Sequence, residues 1–528
     1  MKEKEGKGRA EHQEDMGFVS LVGAGPGDPG LLTLKGVRCL ERAEVVVYDH
    51  LVNERLLQYA PPGAELIYAG KKGAEHFLEQ DEICALLRDR AGKGKRVVRL
   101  KGGDPFIFGR GGEEAEDLAA SGIPFEVVPG VSSAIAVPSY AGIPLTHRSY
   151  TSTVGFITGH EDAARADSRI AWNQIATGLG TLVFLMGCGQ LGSIAEKLIQ
   201  EGRDPETPVA LIRWGTLPTQ ETIVGNLRDI VQRAADAHFG PPVIIVVGEV
   251  VRLRSTLNWF ESKPLFGKRI LVTRTAEQAS YLVQLLEAEG AEAIPLPLIQ
   301  IQPPLDFQDL DRAIGQIEGY DWILFTSVHG VDFFWQRLRT LGKDARDLKG
   351  IRVGAIGPAT ASELKSHGLE PDLVPAAFQA EALLESLEAE GLSGTRVLLP
   401  RAEKARDLLP EGLRQRGAQV TVVEAYRTVK PRIDADEFRQ RWEEGKIDVI
   451  TFTSSSTVHH FMNLMEEMGK AGPESLGEKE VAVACIGPIT GATARQYGLK
   501  VSIQPGEYTI LGLAKAISDH FARGEKRP

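Results

Sequence analysis

The chain has 528 residues, enough for roughly three to five domains and several buried cores. Hydrophobic residues make up 43% and charged residues 25%, with 57 Gly and 29 Pro, which excludes a fibrous or disordered chain and points to a loop-rich α/β protein. The formal net charge of −11 argues against non-specific nucleic-acid binding, yet leaves room for a polyanionic ligand gripped by cations gathered in one cleft.

The first residues, MKEKEGKGRAEHQEDM, contain no apolar segment and read as a solvated, disordered tail over 1–16. No apolar stretch approaches the roughly 18 residues that span a bilayer, so no membrane association is expected. Cys39, Cys84, Cys188 and Cys485 lie far apart without C-x-x-C spacing. That spacing signals neither a disulfide framework nor a metal site, and it fits a reducing cytoplasm.

From Phe18 onward, short apolar runs alternate with amphipathic stretches and close on Gly, Pro or Asp, the rhythm of βαβ units around a mainly parallel sheet. Predicted strands are FVSLV (18–22), AEVVVYD (43–49), AELIYAG (64–70), KRVVRL (95–100), TLVFLM (181–186), PVALI (208–212) and VIIVVG (243–248). Helices such as 112–121 and 190–201 lie between them. LNWFESKPLFGKR (257–269), with Pro264 and Gly267, breaks this pattern, and ILVTR opens a second series. The expected domains are therefore 17–262 and 263–528.

The second series contains a repeat. RILVTRTA (269–276) recurs as RVLLPRAE (396–403), WILFTSVHGV (322–331) as VITFTSSSTV (449–458), and AIGPATASELKSHGL (355–369) as CIGPITGATARQYGL (485–499), at offsets of 127, 127 and 130 residues. Two copies of that length are too few and too long for a solenoid and predict a two-lobed α/β domain. A chain that crosses between lobes would spread each copy over both.

Three loops of the first series follow strands. In VGAGPGDPGLLT (22–33), Gly23, Gly25 and Gly27 surround Pro26, which departs from the dinucleotide fingerprint; Asp28 would repel a pyrophosphate, and no GK[ST] follows. A tight turn with a capping aspartate explains the same residues. LKGGDPFIFGRGGEE (100–114) sets five glycines and two phenylalanines around Asp104 and Arg110, a composition suited to stacking on a flat ring. VPGVSSA (128–134) supplies Ser132 and Ser133, for which helix capping is the alternative.

Together, VGAGPGDPGLLT, VVVYDHLV, GGDPFIFGRGGEE, VPGVSSA, AGIPLTHR, FLMG and RWGTLPTQ resemble the uroporphyrinogen-III C-methyltransferases of the tetrapyrrole methylase superfamily, over about residues 17–260. The resemblance implies an S-adenosyl-L-methionine-dependent enzyme that methylates two carbons of uroporphyrinogen III to give precorrin-2. It also implies a homodimer through this domain and a cofactor cleft between two α/β subdomains. It assigns Pro26, Gly102, Gly103, Asp104, Ile107, Ser132, Ser133, Met186 and Gly215 to the cofactor. A sulfonium cofactor needs no P-loop lysine, and Met186 offers a soft apolar contact, a core methionine being the alternative. The alkylated macrocycle must lose a proton, which suits a positioned carboxylate. The family's base position falls on Asp49, at a strand end where ligands sit in open α/β sheets, and its acid position on Lys71. Capping and a solvated loop cation are the respective alternatives. The substrate's carboxylates require cations, and Lys101, Arg110, His147 and Arg148 are the candidates.

The duplicated half shows no metal-ligand cluster, nucleophile elbow or Ser/His/Asp signature in its sequence. It offers hydroxyl-rich strand ends at Thr326 and Ser327 and at Thr453, Ser454, Ser455 and Ser456, GP-x-T turns ending at Thr360 and Thr490, and Arg274, Arg401 and Arg427 for charge. Capping and turn formation explain the hydroxyls equally. ILVTR, FTSVHGV, AIGPATA, EAYRT, FTSSSTV and CIGPITGATA resemble uroporphyrinogen-III synthases over about residues 267–522. That resemblance implies closure of hydroxymethylbilane with loss of water and inversion of the last pyrrole ring. The cations of that reaction form from the substrate itself, so the protein's main task is to hold conformation.

The expected protein is thus a bifunctional cytoplasmic enzyme of tetrapyrrole biosynthesis with a tetrapyrrole-methylase fold followed by a two-lobed synthase-like domain. The alternatives are a methyltransferase fused to a non-catalytic tetrapyrrole-binding or regulatory module, a methylase of a later corrinoid or of RNA, and a nicotinamide dehydrogenase, against which the loop order stands. No segment resembles a precorrin-2 dehydrogenase and ferrochelatase, so another protein is expected to complete siroheme.

Overall fold

The computed structural model describes residues 17–70, 78–159, 169–273, 276–298, 300–377, 379–389, 391–405, 407–429, 438, 442, 447–469 and 481–524. The expected tail over 1–16 lies outside them. The chain divides into two units: one comprises the chain up to Lys268 with Leu286–Glu292 and the residues from Phe521, the other Arg269–Leu285 and Ala293–His520.

In the first unit, β1 (Phe18–Gly23), β2 (Val45–Tyr48), β3 (Glu65–Tyr68), β4 (Arg96–Lys101) and β5 (Phe125–Val128) form a sheet of order β3-β2-β4-β1-β5. Every pair in it is parallel. β2 reads as an unbroken apolar run because helices cover both faces of the sheet. Val45 and Val47 pack with Leu87 and Leu118 on one side, while Val46 packs with Leu40 and Leu56 on the other. The expected helix at 112–121 spans Gly111–Ala120.

A second sheet holds β6 (Val154–Thr158), β7 (Thr181–Leu185), β8 (Pro208–Arg213), β9 (Glu221–Asn226) and β10 (Val243–Val247), in the order β6-β7-β10-β8-β9. Here the expectation of a mainly parallel sheet fails. Only β6 and β7 are parallel; β10 runs antiparallel to β7 and β8, and β8 to β9. The reason is the link between β8 and β9, residues 214–220, which is too short for a crossover and can only reverse the chain. One face of this sheet packs on the helix Ser133–Tyr140 through Ala134 and Val137, which brings the loop before that helix to the second sheet.

The second unit repeats one plan twice. β11 (Arg269–Val272), β12 (Glu292–Pro295), β18 (Val449–Phe452), β19 (Ala482–Cys485) and β20 (Val501–Ile503) form a sheet of order β12-β11-β18-β19-β20. β13 (Gln300–Gln302), β14 (Trp322–Phe325), β15 (Arg352–Ala355), β16 (Arg396–Ala402) and β17 (Gln419–Val429) form another, β13-β17-β16-β14-β15. The copies are exchanged: β11 of the first copy pairs with β18 of the second, which carries β19 on its other side, and β16 of the second pairs with β14 of the first, which carries β15. Even the bridge from Gly354 to Leu373 has its counterpart in Ala484 and Ile503, at the 130-residue offset. The chain therefore crosses between sheets twice, after β12 and after β17. Among the described residues no helix is long and apolar enough to cross a membrane.

Candidate functional site

The three loops of the first unit meet through their backbones. Gly103 N–H donates to Gly25 O at 2.7 Å, and Gly25 N–H donates to Gly103 O at 3.2 Å. Asp104 joins the third loop, accepting the N–H of Phe106 at 2.8 Å and of Gly130 at 3.0 Å. Only glycine permits this approach: a Cβ on Gly130 would stand 2.2 Å from Gly103 O, and one on Gly23 2.5 Å from the Gly130 backbone.

Around this junction the backbone is strained. Phe108, Arg110, Met186, Trp214 and Thr216 all have φ between +49° and +71°. Left-handed non-glycine residues cost of order 1–3 kcal/mol each and gather at ligand sites. Met186, expected as an apolar contact with a core residue as the alternative, is 55% exposed and is no core residue. With Phe106, Phe108, Arg110 and Glu113 it lines a depression of about 540 Å³. Ile107 is also exposed, and Arg110 pairs with Glu113 at 2.7 Å. Gly215, between two strained residues, has no room for a Cβ, which would meet Val137 at 2.4 Å.

The capping alternatives describe several visible contacts. Asp28 caps the turn Pro29–Leu31 by accepting from Gly30 N–H at 2.7 Å, and it accepts the Tyr140 hydroxyl at 2.7 Å. Burial and that bond hold the Tyr140 phenol above its ordinary range. Asp28 N–H donates to Thr216 Oγ1 at 3.0 Å, so the first loop is tied to the strained turn after β8. Ser132 is buried and caps Ser133–Tyr140 by accepting from Ala134 N–H at 3.3 Å. Ser133 and Pro26 are half-buried, and Gly102 follows β4 directly.

Asp49 follows β2 and is bound at 2.5 Å by Arg99 Nη2. Arg99 Nε reaches Glu114 Oε1 at 3.1 Å, and Lys101 Nζ and Gln80 Nε2 reach the same oxygen at 2.7 and 3.1 Å. Lys101 was expected at the substrate; it is instead turned inward, 3% exposed, because this buried carboxylate claims it. Burial first, and then the Arg99 charge, pull its ammonium below the ordinary lysine value. His147 Nδ1 accepts from Ser149 N–H at 3.1 Å, and its neighbour Arg148 is exposed. Lys71 lies outside the described residues.

In the second unit Ser327 caps the helix Val328–Thr340, accepting from Gly330 N–H at 3.0 Å, and its hydroxyl lies 3.0 Å from Tyr426 Oη. Thr326 is half-buried beside it. Ser454 caps Ser455–Glu467 in the equivalent place, and Ser455 Oγ accepts from Thr493 at 2.9 Å. Thr360 and Thr490 are buried in their helices' first turns. Arg401 pairs with Asp407 at 2.6 Å, and Arg427 donates to Gln302 Oε1 at 2.8 Å and Pro303 O at 3.1 Å, bracing β17 against β13. Arg274 lies outside the described residues. Sequence reasoning passed over Tyr426 within EAYRT; its mark was a tyrosine on an apolar strand, whose hydroxyl needs a partner. It also found no metal-ligand cluster here, whereas folding brings ligand atoms of Asp332, Glu363 and His367 within 4.8 Å of one another, from the successive helices Val328–Thr340 and Pro358–Ser366 and the latter's C-cap.

Comparison with known proteins agrees with both halves. A family model described as Tetrapyrrole (Corrin/Porphyrin) Methylases matches residues 19–231, and one described as Uroporphyrinogen-III synthase HemD matches 280–515. The Porphyrin biosynthesis protein HemD of Ruminiclostridium josui is 39% identical over 92% of this chain and 94% of its own length. The chain belongs to this family of fused tetrapyrrole methylases and uroporphyrinogen-III synthases. Within the methylase half of the fusion, the S-adenosyl-L-methionine-dependent uroporphyrinogen III methyltransferase of Methanosarcina barkeri (strain Fusaro / DSM 804) is 53% identical over 46% of this chain and 95% of that protein. The Siroheme synthase of Pseudomonas fluorescens (strain Pf0-1) is 51% identical over 46% of this chain, which spans 52% of that protein.

Proposed function

We propose that the fused chain performs two consecutive steps. The synthase domain, 263–528, closes hydroxymethylbilane to uroporphyrinogen III with loss of water, and the methylase domain, 17–262, methylates that product twice to precorrin-2. The observation that carries this reading is the junction of three glycine loops, with exposed Met186 against the second loop and the Asp49 carboxylate bound by Arg99 on the strand that leads into that loop, in one chain with a duplicated synthase-family domain.

The loops suit S-adenosyl-L-methionine. They offer backbone donors and acceptors, and the second loop with Met186 lines a depression that adds the aromatic faces of Phe106 and Phe108 and a thioether. When bound, that cofactor supplies an electrophilic methyl group. The chain's residues do the rest. Phe106, Ile107, Phe108 and Met186 present apolar surface to the cofactor, and Asp104 holds the loops that carry its backbone contacts. Asp49 takes the proton released after alkylation, and Arg110, His147 and Arg148 face the substrate's carboxylates. Lys71 is proposed as the acid.

In the synthase half, Thr326, Ser327, Ser454, Ser455 and Thr490, with Arg274 and Arg401, hold the linear tetrapyrrole folded for closure. The enzyme is proposed as a cytoplasmic homodimer through the methylase domain, binding tetrapyrroles and no nucleic acid. Incubation with uroporphyrinogen III and methyl-labelled cofactor tests the methylase reading. Two labelled methyl groups per macrocycle are expected; an unlabelled macrocycle would overturn it.

A further inference from the structure

Four ionisable residues form one network beneath the methylase site, and three of them have no exposure that a substrate could use. Arg99, Lys101 and Glu114 are 2%, 3% and 0% exposed, whereas Asp49 is 31% exposed. Two basic side chains face two carboxyl groups. It is built on adjacent parallel strands, with Val47 of β2 opposite Arg99 of β4. β4 then runs straight into Gly102, Gly103 and Asp104, so the strand that carries Arg99 also carries the second glycine loop.

The guanidinium is held on three sides. Nη2 donates to Asp49, Nε donates to Glu114, and Nη1 lies 3.4 Å from the carbonyl oxygen of Val47, on the strand that Asp49 ends. Glu114 is itself fixed, since its Oε1 also accepts from Lys101 and Gln80. Its Oε2 has no hydrogen-bond partner although it is buried. A buried ion network is weak evidence of a stability role, because apolar residues of similar volume often pack as well without the desolvation cost. The network has one end at the surface, and that end is Asp49.

We propose that Arg99, clamped by Glu114, is a positioning residue for methyl transfer that fixes the Asp49 carboxylate and acts on the reaction only through it. The proposal rests on the reading that Asp49 takes the proton. Arginine is required because its fork addresses both carboxylates in fixed directions, which a lysine ammonium at the same place cannot do.

A double-mutant cycle on the full chain tests this, with Arg99→Lys, Asp49→Asn and the two combined. Turnover at saturating substrate, the dissociation constant of S-adenosyl-L-methionine and the melting temperature are read for each. Arg99→Lys is expected to bind the cofactor as the unaltered protein does while kcat falls about tenfold to a hundredfold, the effect of a misplaced reacting group. In the Asp49→Asn background the same replacement should cost nothing further. Equal slowing by Arg99→Lys in both backgrounds, or full turnover of Arg99→Lys alone, would overturn the role of Arg99 while leaving Asp49 in the mechanism. Full turnover of Asp49→Asn would remove the base, and Arg99 with it. Should Arg99→Lys fail to fold, Glu114→Gln replaces it in the cycle: the clamp is loosened with the volume kept, and the same absence of a further effect beside Asp49→Asn is expected, additivity again counting against the proposal.

Discussion

The carboxylate of Asp104 accepts the backbone N–H of Gly130 at 3.0 Å, so the acidic residue of the second glycine loop is what holds the third loop against it. Its other oxygen accepts from Phe106 N–H, within its own loop. Asp104→Ala removes both bonds, each partner being a backbone donor that a charged acceptor satisfied. A loss of about 1–3 kcal/mol in the ordered loop is expected, or about tenfold to a hundredfold in the dissociation constant of S-adenosyl-L-methionine. Calorimetric titration checks it; an unchanged constant would place the cofactor elsewhere.

Gly130 carries a second prediction. A Cβ there would stand 2.2 Å from Gly103 O and 2.7 Å from Gly23 Cα, backbone atoms that cannot swing aside. Gly130→Ala must therefore part all three loops, lowering stability by about 1–3 kcal/mol, as overpacking does. Cofactor affinity should fall with it. Melting and titration of the same variant test the pair of effects, and a variant that binds the cofactor normally would show that the junction does not form the site.

Met186 predicts an opposition between stability and binding. Its φ of +57° is costly for methionine and free for glycine, and its exposed side chain packs little. Met186→Gly should leave the melting temperature unchanged or raised while cofactor binding weakens. A lowered melting temperature with normal binding would contradict both halves of the argument.

The strand rhythm was legible because the buried runs are continuous: VVVY and VIIVV sit where expected. β5, β6 and β9 were passed over; FEVV, VGFIT and ETIVGN are only partly buried and mix polar with apolar residues, so they carry no such run. The repeat was legible as a repeat, yet its copies trade strands between sheets, a matter of where the chain crosses that local sequence does not encode. Motif strings picked out three glycine loops that the structure brings together. They could not tell that Lys101 turns into the interior, since that depends on Glu114 waiting one helix away. Tyr426 was hidden for a similar reason, because Ser327 meets it only through the pairing of β16 with its neighbours β14 and β17.

That contact gives a prediction for the synthase half. Tyr426 is 8% exposed, burial pushes its phenol above the ordinary value, and its hydroxyl is shared with Ser327 at a strand end. Tyr426→Phe keeps the packing and removes the bond, which should cost stability no more than about 1.5 kcal/mol. If the strand end holds the linear substrate, the fraction of isomer III should fall in favour of isomer I. Chromatographic separation of the isomers reads this directly; an unaltered ratio would leave the pair a structural contact.

The account stands on two activities in one chain, and one measurement addresses both. Purified protein is supplied with hydroxymethylbilane, with and without S-adenosyl-L-methionine, and the products are resolved by isomer and by mass. The account predicts uroporphyrinogen III without the cofactor and its doubly methylated product with it. Isomer I in the first arm, the outcome of unassisted closure, would contradict a catalytic synthase half, and an unmethylated macrocycle in the second would contradict the methylase.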